Sequence, residues 1–131
     1  MKRLTIILSV LAVFAIVPAA LAAGGPIGKW KTTFSGKKVL RGEIDGAWTV
    51  DFTSTTYTVT WKGKTVLHGV YTATGSDMSL TDKSGEVKCP GTGKYSFTVK
   101  GQKLTVKKIK DSAACAGRIA VLTTGQLTVM S

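Results

Sequence analysis

The side chains that could do chemistry in this sequence are few. His68 is the sole histidine and sits between Leu67 and Gly69. A metal or haem iron held there would need further ligands of matching type, and no second histidine exists to supply one. His68 therefore reads as an ordinary strand position. No serine, histidine and aspartate are spaced as a nucleophile with its base. No glycine-rich phosphate loop leads into a helix, and no pair of carboxylates forms an acid–base motif. Asp45 and Asp51 fall in a loop–strand region with nothing to mark them beyond solvation. The expectation is a protein that is not an enzyme, with no metal and no cofactor. What remains is aromatic. Trp48, Phe52, Tyr57, Trp61, Tyr71, Tyr95 and Phe97 are the candidate ligand-binding residues, an apolar lining with tyrosine hydroxyls to orient a ligand. The competing reading is plain core packing.

The elements that must position these aromatics are strands. Apolar residues alternate with Thr, Ser or Lys at Trp48, Val50, Phe52, then Tyr57, Val59, Trp61, then Tyr95, Phe97, Val99, then Leu104, Val106 and Leu127, Val129. Period two with one wet face is the mark of a half-buried strand. Nine strands are expected, at 30–34, 47–52, 55–61, 64–73, 77–82, 94–100, 103–109, 117–122 and 126–130. The long strand at 64–73 should bend at Gly69, as a bulge or barrel corner. Helical pattern is poor; only Lys37 to Ile44 could make a turn or two, and Gly42 weakens it. Short Gly-containing linkers such as Lys62-Gly63, Gly75-Ser76 and Gly101-Gln102 read as hairpin turns.

A Gly-x-aromatic unit recurs at Gly28-Lys29-Trp30, Gly46-Ala47-Trp48, Gly69-Val70-Tyr71 and Gly93-Lys94-Tyr95. In the last two copies a turn glycine follows, with apolar residues three and five positions beyond it. Hairpins joined in sequence give an up-and-down meander, and closing it removes both exposed edges. The expected fold is all-β, a single antiparallel barrel of about eight strands.

The first 23 residues differ from the rest. They hold 18 apolar residues and no acid, with Lys2 and Arg3 at the start, Pro18 ending the apolar run, and Ala20-Leu21-Ala22 as a small-residue cleavage site. Leu21-Ala22-Ala23 is the alternative, one step later. This is the pattern of a secretory signal peptide, and the alternative of an uncleaved anchor fits the Pro and Ala-rich end less well. The domain then runs over 24–131, secreted or periplasmic. In an oxidising compartment Cys89 and Cys115 should pair, closing a loop that stabilises the fold by roughly 3 kcal/mol through loop-closure entropy. The domain has 16 Lys+Arg against 7 Asp+Glu, and its lysines are spread along the chain. Solubility and edge protection are one reading; attraction to an anionic envelope surface or an acidic ligand is the other. Nucleic acid is not expected, because the aromatics fall on the face a barrel buries rather than between lysines.

Gly28-Lys29-Trp30 at the first strand, Arg118 in Cys115-Ala116-Gly117-Arg118, and the stretches Gly69-Val70-Tyr71 to Asp82 and Cys89-Pro90-Gly91-Thr92-Gly93-Lys94-Tyr95 resemble small exported bacterial lipocalin-like (calycin-type) domains. The resemblance implies a structural contact in which Arg118 lies across Trp30 at the closed end of the barrel. It also implies a small apolar or amphipathic ligand inside, held by a monomer. A protein-binding barrel that inhibits a protease or lysozyme through a free N-terminal arm at Gly24-Gly25-Pro26-Ile27 is the second expectation, and a structural envelope domain is the third.

Overall fold

A computed structural model of the chain describes residues 25–36, 38–39 and 42–130. The expected signal segment, residues 1–23, lies outside them. The described chain runs β1 (Gly28–Phe34), β2 (Lys38–Val39), β3 (Gly42–Glu43), β4 (Gly46–Phe52), β5 (Thr56–Trp61), β6 (Lys64–Thr74), β7 (Asp77–Ser84), β8 (Thr92–Lys100), β9 (Lys103–Lys110), α1 (Ala116–Thr123) and β10 (Leu127–Val129). Eight strands close into a barrel in the order β1-β4-β5-β6-β7-β8-β9-β10 and back to β1, every pair antiparallel. This is the up-and-down barrel that the hairpin repeat predicts.

The alternation sets the inside of the barrel. On β4 the residues Trp48, Val50 and Phe52 are buried while those between them are not. β7 follows the same phase, with Met78, Leu80 and Asp82 inward. The turn from β5 to β6 is two residues, Lys62 and Gly63, both at positive φ (53° and 79°). That is the hairpin geometry whose twist matches the strands, and it strains Lys62 but not Gly63. The pairing of β6 with β7 shifts between His68 and Gly69, so the expected irregularity at Gly69 is present.

Two expectations are corrected. Residues 117–122 are helix, not strand, within α1. Ser112 accepts a hydrogen bond from Ala114 N–H and starts a 3-10 turn at Ala113–Cys115 that runs into α1. The alanines favour helix, and Val121 and Leu122 form its buried face. In the stretch 37–44, where a turn or two of helix is expected, Lys38–Val39 pair antiparallel with Gly42–Glu43 instead; 37, 40 and 41 lie outside the described residues.

The barrel has unlike ends. The described segments 35–36, 42–45, 62–63, 85–91 and 111–123 gather at one end, with α1 across it. The turns at 53–55, 75–76 and 101–102 lie at the other end, together with Gly25-Pro26-Ile27. There Pro26 is fully buried and its carbonyl accepts from Trp30 Nε1 at 2.8 Å. Gly25 packs against the Tyr71 ring. The segment Gly25–Ile27 therefore seals the closed end and is not a free arm.

Candidate functional site

A cavity of about 710 Å3 opens at the helix end. Its wall is built by Trp48, Val50 and Phe52 of β4, Tyr57, Val59 and Trp61 of β5, Leu67 of β6, and Leu80 and Asp82 of β7. Val121 and Leu122 of α1 roof it, and Glu43, Glu86 and Lys88 stand at its mouth. No lining residue comes from β1, β8, β9 or β10. Inside those four strands Trp30, Tyr95, Leu104, Val106 and Leu127 belong to the packed core.

Of the seven candidate lining aromatics, Trp48, Phe52, Tyr57 and Trp61 line this cavity. Trp48 and Trp61 face each other across β4 and β5 and stack at 5.1 Å, 15° from parallel. Their indole N–H groups donate to Ile44 O at 2.7 Å and Asp45 O at 2.8 Å, fixing the rim. Tyr71, Tyr95 and Phe97 do not line it. Tyr71 meets the edge of Phe52 and donates to Thr53 O at 2.5 Å, in a closed-end turn. Tyr95 is turned to Asp111. Phe97 is half-buried and held by its N–H to Ser76 O, in another closed-end turn. Nor are the tyrosine hydroxyls set out for a ligand: each of the three donates its proton within the protein.

The polar groups at the helix end of the cavity converge on Arg118 of α1, whose side chain is 5% exposed. Nε and Nη2 donate to the two carboxylate oxygens of Asp111 at 2.9 and 2.8 Å, a bidentate pair. Nη1 lies 3.3 Å from Asp82 Oδ1 and makes no hydrogen bond. Asp82 Oδ1 also accepts from Tyr57 OH at 2.6 Å, and Oδ2 accepts from Cys89 N–H at 3.0 Å. Asp111 takes the Tyr95 hydroxyl and Ser112 N–H. Two glycines make this possible. A Cβ at Gly69 would land inside the Tyr57 ring, and one at Gly93 would land on the Asp111 carboxylate. Their place in the Gly-x-aromatic repeat now has a physical cause, the close approach of a side chain to bare backbone.

The charges answer to these contacts. Burial, then the hydrogen bond and charge of Asp82, push the Tyr57 phenol far above its ordinary range. Burial and Asp111 do the same to Tyr95. Burial alone would raise Asp111, but hydrogen bonds from Arg118, Tyr95 and Ser112 N–H outweigh it and hold the carboxyl below its usual value. Burial works against the Arg118 charge, yet Asp111 and Asp82 outweigh it and keep the guanidinium protonated.

Arg118 is thus committed to two aspartates at the open end, while Trp30 lies at the closed end with its N–H on Pro26. The expected Arg118–Trp30 contact is not made. The cation over a ring among the described residues is instead Lys62, 4.8 Å from the Trp61 centroid. Asp82 and Asp111 are the functional candidates that sequence reasoning missed. Asp82 was open to detection, because an acid in the inward phase of Met78, Leu80 and Asp82 needs a buried partner. Asp111, after a lysine run, carries no such signal.

Cys89 and Cys115 are joined, Cα to Cα 5.5 Å, and tie the 85–91 loop to the start of α1. His68 is exposed on β6, beside Thr58 on the outer face. Among the described residues no group of three His, Cys, Asp or Glu is placed to hold a metal ion, and no helix is long and apolar enough to cross a membrane. Comparison with known protein families, with curated proteins and with solved structures finds no match.

Proposed function

We propose that this protein is an exported, lipocalin-like barrel that carries a small, largely apolar ligand in the cavity between β4–β7 and α1. The observation that carries the reading is the cavity itself. About 710 Å3 with a mainly apolar wall and a few fixed polar groups falls within the range of small-molecule sites. Export agrees with the Cys89–Cys115 bridge, since such bridges persist in oxidising compartments.

The polar cluster under α1 narrows the ligand. One guanidinium faces two carboxylates, so the local charge is negative and a ligand carboxylate would meet repulsion in a low-dielectric site. The oxygens of Asp82 and Asp111 already accept hydrogen bonds, which leaves little for an ammonium group. A neutral ligand with an apolar body fits both conditions.

The test is a titration with the neutral dye N-phenyl-1-naphthylamine and the anionic dye 8-anilinonaphthalene-1-sulfonate, read by dye emission and by Trp48 and Trp61 fluorescence. The neutral dye should bind more tightly, and Leu80→Trp, which fills the cavity, should abolish uptake while the thermal transition persists. Native mass spectrometry of protein from its own host should show a retained small molecule. A folded barrel that carries none and takes up neither dye overturns the reading.

A further inference from the structure

The lysines are not spread evenly over the barrel. β1, β8, β9 and β10 are contiguous in the sheet, and they carry Lys29, Lys31, Lys94, Lys100, Lys103, Lys107, Lys108 and Lys110, all exposed, with no Asp or Glu. The other four strands carry Lys64 and Lys83 against Asp51, Asp77 and Asp82. The acids begin at the borders: Asp51 of β4 stands across from Lys29, and Asp77 of β7 across from Ser96. Within the lysine half, Lys94 pairs directly with Lys110 and Lys100 with Lys103. Like charges in register destabilise a sheet, and no acid on these strands relieves them.

Four of the six exposed large apolar residues among those described lie in the same half; Ile109 (53% exposed) stands apart near the open end of β9, and the other three sit together. Ile27 (53% exposed) precedes β1, Val99 (46%) is near the end of β8, and Met130 (41%) follows β10. All three lie at the closed end. Met130 N–H donates to Lys29 O, and Val129 N–H to Gln102 O in the turn between Lys100 and Lys103. An apolar tip is therefore flanked by Lys29, Lys100 and Lys103.

From this juxtaposition we infer that the closed end of the lysine half docks on an anionic lipid bilayer. Lysines supply attraction to the headgroups, and Ile27, Val99 and Met130 enter the boundary with the acyl chains. A soluble polyanion would match the lysines but leave the apolar tip without a use. The bilayer uses both, and it leaves the cavity mouth facing away from the membrane.

Vesicle flotation tests the inference, with protein from its own host and vesicles of phosphatidylcholine alone or with 30% phosphatidylglycerol. Binding should require the anionic lipid and fall between 0.1 and 0.5 M salt. Replacing Lys29, Lys100 and Lys103 with Gln should weaken it by about a hundredfold, at about 1 kcal/mol per lysine. The same exchange at Lys62, Lys64 and Lys83 should weaken it far less. Ile27→Ser, Val99→Ser and Met130→Ser together should weaken vesicle binding while leaving binding to dextran sulfate unchanged. Thermal melting confirms that each variant is folded. Equal binding to neutral vesicles, equal loss in the two lysine variants, or no effect of the serine variant on vesicle binding would each overturn the inference.

Discussion

The two halves of this barrel obey one alternation rule and reach different ends. In β4–β7 most inward side chains border a cavity, with Tyr71 and Met78 as exceptions; the inward side chains of β8, β9, β10 and β1 pack in the core without bordering it. Outside, the hollow half carries mixed charge and the solid half only lysine. Period two fixes which way a side chain points and says nothing about what fills the space it points into. The volume is decided by what comes across the top. α1 and the 85–91 loop roof the β4–β7 side, and Arg118 joins the halves, taking Asp82 from β7 and Asp111 from the end of β9.

The strongest way to break the comparison is to remove that joint. Arg118→Met leaves two buried carboxylates without their cation, and should cost about 3–5 kcal/mol in a denaturant titration. Restoring Asp82→Asn and Asp111→Asn in the same chain should recover part of the loss. A variant as stable as the parent would show the halves to be held together without it.

The next test compares the halves by truncation. Leu104 is fully buried in the solid half, and Leu104→Ala should cost about 2–5 kcal/mol, transfer and new void combined. Leu80 borders the existing cavity, so Leu80→Ala only enlarges a space already there and should cost less. Equal losses by chemical denaturation would mean that the two interiors are packed alike.

The smallest effect lies in alkali. Tyr57 and Tyr95, one in each half, have folded pKa values raised above the ordinary 10.0. A phenol that holds its proton more tightly when folded contributes stability in full below its unfolded pKa, and loses it as pH rises beyond that value. Stability should therefore decline from about pH 10 upward. Tyr57→Phe or Tyr95→Phe should each flatten the decline, and a profile unchanged in both would sever the link to these phenols.

Much of the fold was legible in the sequence because Thr and Lys separate the apolar residues so regularly. Eight of the nine expected strands exist, with ends that differ by two residues or fewer. The exception, 117–122, failed because a run as short as Gly117-Arg118-Ile119-Ala120-Val121-Leu122 carries apolar residues at helical and strand spacing alike, and Ser112 with its alanines was the deciding signal. The site was half legible. Trp48, Phe52, Tyr57 and Trp61 line the cavity, because facing follows from register. Tyr71, Tyr95 and Phe97 share that facing but sit beside filled space. Arg118 was identified and given the wrong partner, since only the folded chain brings residues 82, 111 and 118 together.

The ring closes through β10, which is registered with each neighbour at only two residue pairs. β1 is registered with β4 at seven residue pairs, but with β10 at only two, Trp30 with Val129 and Lys31 with Thr128. Three residues, Leu127–Val129, thus decide whether the sheet is a cylinder or a ribbon. A chain clipped before Leu127 would present unpaired edges along β1 and β9, and edges of that kind recruit other chains. The closure of the whole sheet rests on its shortest barrel strand.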